Sequence, residues 1–128
     1  EVIYPPKYTS VPNVQDWVRG VANIRGRLLS VSDLPCFIAG QRSQFSPTQK
    51  VLCISQNDHY VGLIVDQVLG IQHFNKKGFF SKNNDLTEKL EPYCQGYFHQ
   101  HNQAWNIFLF SRLLNDPKYM NASEKFIN

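Results

Sequence analysis

The sequence predicts a mainly β protein. Short apolar runs rich in β-branched residues alternate with turn-forming Gly, Asn, Asp and Pro, and no strand is followed by the long helix that a βαβ crossover needs. Hydrophobic residues make up 42% of the 128-residue chain and charged residues 18%, which is typical of a globular protein. The pattern predicts roughly seven or eight strands with a few short helices.

The N-terminal residues predict a strand end followed by a short helix. Glu1-Val2-Ile3-Tyr4 is typical of the last part of a strand, and Pro5-Pro6 ends it because proline lacks the backbone donor that a strand uses. Residues 10–19 predict a short helix, since Asn13 can cap its start and Gly20 its end.

The next stretch predicts a β-hairpin. Two apolar runs, Val21–Ile24 and Leu28–Val31, flank Arg25-Gly26-Arg27, where Gly26 can adopt the positive φ of a tight turn. Taken alone, the polar residues of this hairpin are equally compatible with a solvated turn in which Asn23 supports the backbone through local hydrogen bonds. Asp33-Leu34-Pro35 then predicts a single helical turn.

The rest of the chain predicts a linking loop, two further hairpins and a C-terminal helix. A polar segment, residues 40–50, indicates a loop that joins two halves of the molecule. The predicted strands after it are Val51–Ser55, His59–Asp66, Val68–Phe74, Tyr93–Gln100 and Ala104–Phe110. Residues 75–91 predict a surface loop with one helical turn at 87–90, and Ser111 can cap a helix through Leu114.

The sequence contains no pattern that indicates an enzyme, a metal or a cofactor. It has no G-x-S-x-G motif, no phosphate-binding loop and no G-x-G-x-x-G motif. His99 and His101 have strand spacing, but the further ligands of a zinc site would have to come from unpatterned positions. Cys36, Cys53 and Cys94 are odd in number and far apart, so we expect buried thiols in a reducing compartment.

We expect a soluble, cytoplasmic protein. No apolar run approaches the roughly 20 residues of a membrane-spanning helix, and no signal peptide is visible. The formal net charge is only +3, which is too small to indicate nucleic-acid binding by itself.

A small β-barrel that binds single-stranded nucleic acid is the alternative interpretation. Aromatic residues make up 13% of the chain, and Arg19, Arg25 and Arg27 lie near Trp17 in the sequence. Such a site interleaves exposed aromatic and basic side chains along neighbouring strands, whereas the aromatic residues of the last hairpin have no basic neighbour before Arg112. Core packing explains these aromatic residues better, so we expect no nucleic-acid partner.

Three segments resemble the CheW-like chemotaxis coupling family. Gly20-Val21-x-Asn23-Ile24-Arg25-Gly26, followed by a strand and Asp33-Leu34, is similar to the family's signature hairpin. Gly62-Leu63-Ile64-Val65-Asp66-x-Val68 is similar to a second family strand, and the end of the chain from Gly96 to Leu114 is weakly similar. Trp17 and Leu28-Leu29 are most similar to the branch of the family that serves type IV pilus twitching motility.

This resemblance implies a fold of two small five-stranded, SH3-like β-barrels with short helices. It implies a single CheW-like domain over residues 1–128, with a first subdomain at about 1–40, a second at about 48–110, and a C-terminal helix and tail at 111–128. It also implies a non-catalytic adaptor that binds no cofactor. The implied partners are the cytoplasmic tip of a methyl-accepting chemoreceptor and the regulatory domain of a CheA-type histidine kinase.

The resemblance implies two sets of binding residues, transferred by position. The receptor-binding set is Asn23, Ile24, Arg25 and Gly26. The kinase-binding set is Glu1, Val2, Tyr8, Arg19 and Gly20. An arginine suits the receptor side because its guanidinium can bond carbonyl or carboxylate groups on a helical tip.

The sequence departs from the family pattern in two ways. Ser30 occupies a position where many members have proline. The family's first two strands would precede Glu1, so we expect an N-terminally truncated chain whose first barrel has an open edge. Open edges recruit other strands, and we therefore expect either a strand-swapped or edge-paired homodimer or a compensating rearrangement of the chain.

Overall fold

The structure of the chain, a computed structural model, describes residues 1–124 and is mainly β, as predicted. The described residues divide into two compact units, one formed by residues 1–68 and 117–124 and the other by residues 69–116. The first unit contains β1 (Val2–Ile3), β2 (Val18–Ile24), β3 (Arg27–Asp33), α1 (Leu34–Ala39), β4 (Lys50–Gln56), β5 (His59–Val65) and α3 (Pro117–Glu124). The second contains β6 (Phe79–Phe80), β7 (Cys94–Gln100), β8 (Gln103–Phe108) and α2 (Phe110–Leu114).

The first unit is built on a five-stranded sheet with the order β1-β4-β5-β3-β2. All its pairings are antiparallel except β3 with β5, which run parallel. One face of the sheet supplies a core in which Leu29, Val31 and Val51 are completely buried. Burial of such side chains stabilises each by about 1.5–3 kcal/mol relative to exposure, so this face fixes the register of the strands.

The two compact units divide the chain at other positions than the predicted subdomains. The sequence placed the strands at 51–55 and 59–66 in the second subdomain, whereas β4 and β5 belong to the first unit. The reason is the parallel pairing of Ser30 to Asp33 with Val61 to Ile64, which inserts β5 into the middle of the first sheet. The polar loop at residues 40–49 therefore lies inside one unit.

Two local predictions near the ends of the first unit are also wrong. Residues 10–16 form bends and turns rather than a helix, and Gly20 lies within β2, where the register is irregular. The segment predicted as a strand at Val68–Phe74 has no regular secondary structure. The predicted strand end at the N terminus, the helical turn after Asp33 and the hairpins around residues 25, 57 and 102 are confirmed.

The second unit is a three-stranded antiparallel sheet with the order β6-β7-β8. The resemblance implied two five-stranded barrels, and the described residues form one five-stranded and one three-stranded sheet, neither of which closes. Ring stacking supports the smaller sheet, since the Phe74 and Phe98 rings lie 4.9 Å apart and Phe80 stacks on Tyr97 at 5.2 Å. No helix in the described chain has the length and hydrophobicity to cross a membrane.

Helix α3 packs on the first unit through Tyr119, which is completely buried. Its ring stacks on Trp17 at 5.1 Å and meets Phe37 edge-on at 5.5 Å, and its hydroxyl donates to Ser32 Oγ at 3.0 Å. Ser30 Oγ donates to the Ser123 carbonyl at 2.6 Å. Ser30 therefore forms a hydrogen bond with this helix. The C-terminal part of the predicted tail, residues 125–128, lies outside the described residues.

Candidate functional site

The tip of the β2–β3 hairpin is a two-residue turn formed by Arg25 and Gly26. Ile24 pairs with Arg27, and the two turn residues have φ angles of 50° and 82°. Positive φ at both positions is the geometry of a type I′ turn, whose twist matches that of the flanking strands. The tight turn therefore directs the Arg25 side chain into solvent, and 69% of this side chain is exposed.

Asn23 supports the hairpin from within. Its Oδ1 accepts a hydrogen bond from the Gly26 backbone N–H at 2.9 Å, so the side chain braces the turn. Of the predicted receptor-binding residues, Asn23, Arg25 and Gly26 are exposed and Ile24 is half-buried beside the sheet core. The structure thus brings all four together at one tip.

Arg25 forms a bidentate ion pair with Glu1. Its Nη2 lies 2.5 Å from Oε1 and its Nη1 lies 3.2 Å from Oε2. The hydrogen bond from Arg25 lowers the pKa of the Glu1 carboxyl below its ordinary value of 4.5. The fork geometry matches a carboxylate, which shows that the guanidinium can hold such a group at this position.

Three residues that the site prediction left out extend this tip: Arg27, Tyr60 and Ser55. The Arg27 guanidinium lies 4.4 Å from the centre of the Tyr60 ring, and its Nη2 donates to Ser55 Oγ at 2.9 Å. Burial raises the pKa of the Tyr60 phenol, and its interaction with Cys53 adds to that shift. The β4–β5 ladder places these residues here, since Ser55 pairs with Tyr60.

Arg19 of the predicted kinase-binding set is buried. Only 7% of the residue is exposed, because its guanidinium pairs with the completely buried Asp33 and donates to the Asp16 carbonyl at 2.7 Å. Removing a charge from water is costly unless it is paired and hydrogen-bonded. Arg19 therefore stabilises the unit and offers no charged surface to a partner.

Gly20, predicted beside it as a contact residue, is also buried. Its φ is 152°, and a Cβ at this position would lie 2.0 Å from the Thr9 carbonyl oxygen. The close approach lets Thr9 and Val21 exchange backbone hydrogen bonds at 2.9 and 3.0 Å. Gly20 is required for this backbone pairing rather than for surface contact.

The other predicted kinase-binding residues are accessible. Val2 is 49% exposed on β1, Tyr8 is 38% exposed, and Glu1 is paired with Arg25 as described. Glu1 and Arg25 were assigned to different partners, and the ion pair joins them into one surface. In the described part of the chain, no group of three or more His, Cys, Asp or Glu side chains could hold a metal ion.

Comparisons with known proteins found similarity in both sequence and fold. The model of the CheW-like domain family matches residues 1–118. The chain is 42% identical over 108 residues to Protein PilI of Pseudomonas aeruginosa strain PAO1, a match that covers 84% of this chain. It spans 60% of the length of that curated relative. The crystal structure of the scaffolding protein TtCheW from Thermoanaerobacter tengcongensis has a similar fold, with a TM-score of 0.70 at 19% identity over 84% of this chain and 70% of that chain.

Proposed function

The chain belongs to the CheW-like domain family, and from that membership we propose that it is a non-catalytic adaptor that couples a chemoreceptor to a CheA-type histidine kinase. Its receptor partner is the cytoplasmic tip of a methyl-accepting chemoreceptor, and its kinase partner is the regulatory domain. The similarity to PilI supports a place in the control of type IV pilus twitching motility. These partners place the adaptor in the cytoplasm.

The observation that carries the receptor half of the proposal is the exposed, bidentate Arg25. Its guanidinium stands at a rigid turn and already holds the carboxylate of Glu1. A helical receptor tip offers carboxylates and free carbonyls, and the same fork geometry suits both. Ile24 beside it supplies an apolar contact.

The kinase half of the proposal rests on the accessible members of the predicted set: Glu1, Val2 and Tyr8. Val2 and Tyr8 present apolar and aromatic surface, which is typical of protein interfaces. Arg19 and Gly20 serve this surface indirectly, since they fix the backbone around Thr9 and Asp33.

Arg25→Glu tests the proposal directly. The purified protein is titrated with the receptor tip, the kinase regulatory domain and single-stranded DNA. We expect the variant to bind the receptor at least about tenfold more weakly, the loss that corresponds to about 1.4 kcal/mol. We expect a smaller loss of kinase binding, because Glu1 loses its ion-pair partner. Arg25→Lys keeps the charge but loses the fork, and we expect an intermediate loss.

Arg42→Glu is the matched control, because Arg42 is another exposed arginine of the first unit and lies outside the hairpin. It makes the same charge change and should leave receptor binding unaltered. Salt-sensitive DNA binding without receptor binding would overturn the adaptor proposal in favour of the nucleic-acid alternative.

A further inference from the structure

A cavity of about 530 Å³ opens in the second unit. Its volume falls within the range of about 300–1,000 Å³ that is common for small-molecule pockets. The loop that follows β6, the segment of residues 91–94 and one side chain of α2 line it. The residues that carry the argument are Lys82, Leu86, Glu91, Pro92, Cys94 and Arg112.

Strand β7 is irregular where it borders this cavity. The register of its pairing with β8 shifts between Cys94 and Tyr97, and Gly96 between them has a φ of 77°. A Cβ on Gly96 would lie 2.6 Å from the Phe80 carbonyl oxygen, so a larger residue requires a shift of the backbone. Bulges of this kind bend a strand and are frequent beside active sites. The cavity therefore borders a local departure from the regular sheet that a glycine permits.

Three charged side chains line the cavity: Lys82, Glu91 and Arg112. Among the described residues, none of the three has an ion-pair partner. Arg112 Nη1 donates to the Cys94 carbonyl at 3.1 Å, which holds the guanidinium beside β7 and leaves its other N–H groups for a ligand. The cavity thus presents two positive charges and one negative charge that no ion pair within the described chain engages.

This set of charges favours a zwitterion. Arg112 and Lys82 can bind a carboxylate through charge-assisted hydrogen bonds, and Glu91 can accept hydrogen bonds from an ammonium group. A simple anion would be repelled by Glu91, and a simple amine would be repelled by the two cations. Leu86 and Pro92 supply apolar surface in the same cavity, which suits an apolar side chain on the ligand.

We propose that this cavity binds a small zwitterion that carries a carboxylate, an ammonium group and an apolar side chain, the chemistry of an apolar amino acid or of a dipeptide of such residues. Arg112 and Lys82 bind the carboxylate, and Glu91 binds the ammonium group. The inference goes beyond the proposed adaptor function and does not depend on it. The cavity lies in the second unit, whereas the residues proposed for receptor and kinase contact belong to the first.

An NMR titration of the isotope-labelled chain with matched probes tests the proposal. L-Leucine carries both charges, isocaproate carries the carboxylate without the amine, and isopentylamine carries the amine without the carboxylate. Because exposed charges interact weakly, we expect a dissociation constant of about 1 mM for leucine and about fivefold weaker binding of the other two probes. A titration with L-leucyl-L-leucine shows whether the dipeptide or the free amino acid binds more tightly.

Glu91→Gln is the principal variant, because it should change the selectivity of the site. It removes the partner of the ammonium group and the repulsion of anions, so leucine should bind about fivefold more weakly while isocaproate binds at least as tightly as before. Arg112→Gln should weaken the binding of both probes. Glu88→Gln is the matched control, since Glu88 is an exposed glutamate of the same unit that does not line the cavity, and it should leave all binding unchanged.

Cys94 provides a second readout. It lines the cavity and is half-buried, whereas Cys36 and Cys53 are buried. Bound leucine should therefore slow the alkylation of Cys94 by iodoacetamide, measured by mass spectrometry of the peptide that contains it. Isopentylamine at the same concentration should protect it less.

Three outcomes would overturn the inference. If neither leucine nor the dipeptide shifts the resonances of the cavity residues or protects Cys94, the cavity is not a site for such a ligand. Equal affinity for leucine and isocaproate would make the cavity a simple anion site. Unchanged selectivity in Glu91→Gln would remove Glu91 as the partner of the ammonium group.

Discussion

Asp33→Ala tests how much the buried Asp33 carboxylate contributes to the stability of the first unit. The carboxylate is completely buried, caps α1 through the Cys36 N–H at 3.1 Å, anchors Ser43, and pairs with Arg19. Removal leaves the Arg19 guanidinium buried with the Asp16 carbonyl as a remaining acceptor at 2.7 Å. We therefore expect a large loss of stability from this one substitution.

The expected loss is about 3–5 kcal/mol, the cost of leaving a buried charge without its partner. Loss of the helix cap alone would cost about 1 kcal/mol. This cost is included in the range and is not added to it, because the cap and the ion pair are made by the same side chain. Stabilities of small domains are about 5–15 kcal/mol, so the variant should be only marginally folded. Arg19→Ala should cost less, because the carboxylate keeps three donors from Cys36 and Ser43.

Urea denaturation, followed by the fluorescence of the two tryptophans, measures these differences. Besides the single variants, Arg19→Ala/Asp33→Ala should unfold near the Asp33→Ala midpoint, because the second substitution removes a charge that is already uncompensated. Asp33→Asn gives a milder variant if Asp33→Ala does not fold. A loss under about 1 kcal/mol for Asp33→Ala, or strict additivity in the double variant, would refute the buried-pair argument.

Three further predictions concern α3, the hairpin tip and the sheet edge. Tyr119→Phe keeps the ring stack but loses the hydroxyl contact with Ser32, and urea unfolding should show a loss of about 1 kcal/mol. In an NMR titration, the pKa of the Glu1 carboxyl should lie below 4.5, and in Arg25→Ala it should move back towards 4.5. The ion pair is therefore complete above pH 4.5 and is lost as the pH falls through the lowered pKa. The first sheet has β1 and β2 as its edge strands, and we expect light scattering at high concentration to give the mass of a homodimer; the mass of a monomer would contradict this.

The parts of the fold that local chemistry decides could be predicted from the sequence. The hairpin at Arg25-Gly26 follows from apolar runs around a glycine, and α1 follows from Asp33 before a proline-containing turn. The helix expected at residues 10–19 failed because tertiary pairing overrides weak propensity. There, Thr9 pairs with Val21, and the residues that follow Thr9 form bends and turns.

Non-local pairing could not be predicted. The parallel ladder between β3 and β5 joins residues about 30 positions apart, and no local pattern distinguishes it from a hairpin in a separate subdomain. For the same reason, the cation–π contact between Arg27 and Tyr60 could not be predicted, since only the assembled sheet brings the guanidinium to 4.4 Å from the centre of the ring. The same holds for the burial of Arg19, whose partner lies 14 residues away on the next strand.

The receptor-binding and kinase-binding roles were transferred from the family one position at a time, and this transfer assigned residues that contact each other to different partners. Asn23 and Arg25 were transferred as one receptor-binding motif, yet Asn23 braces the turn while Arg25 projects from it. Arg25 and Glu1 were transferred to different partners, yet a bidentate pair holds them together. We therefore expect a partner carboxylate at Arg25 to compete with Glu1, so that the proposed receptor binding would depend on a residue that the resemblance assigned to the kinase side.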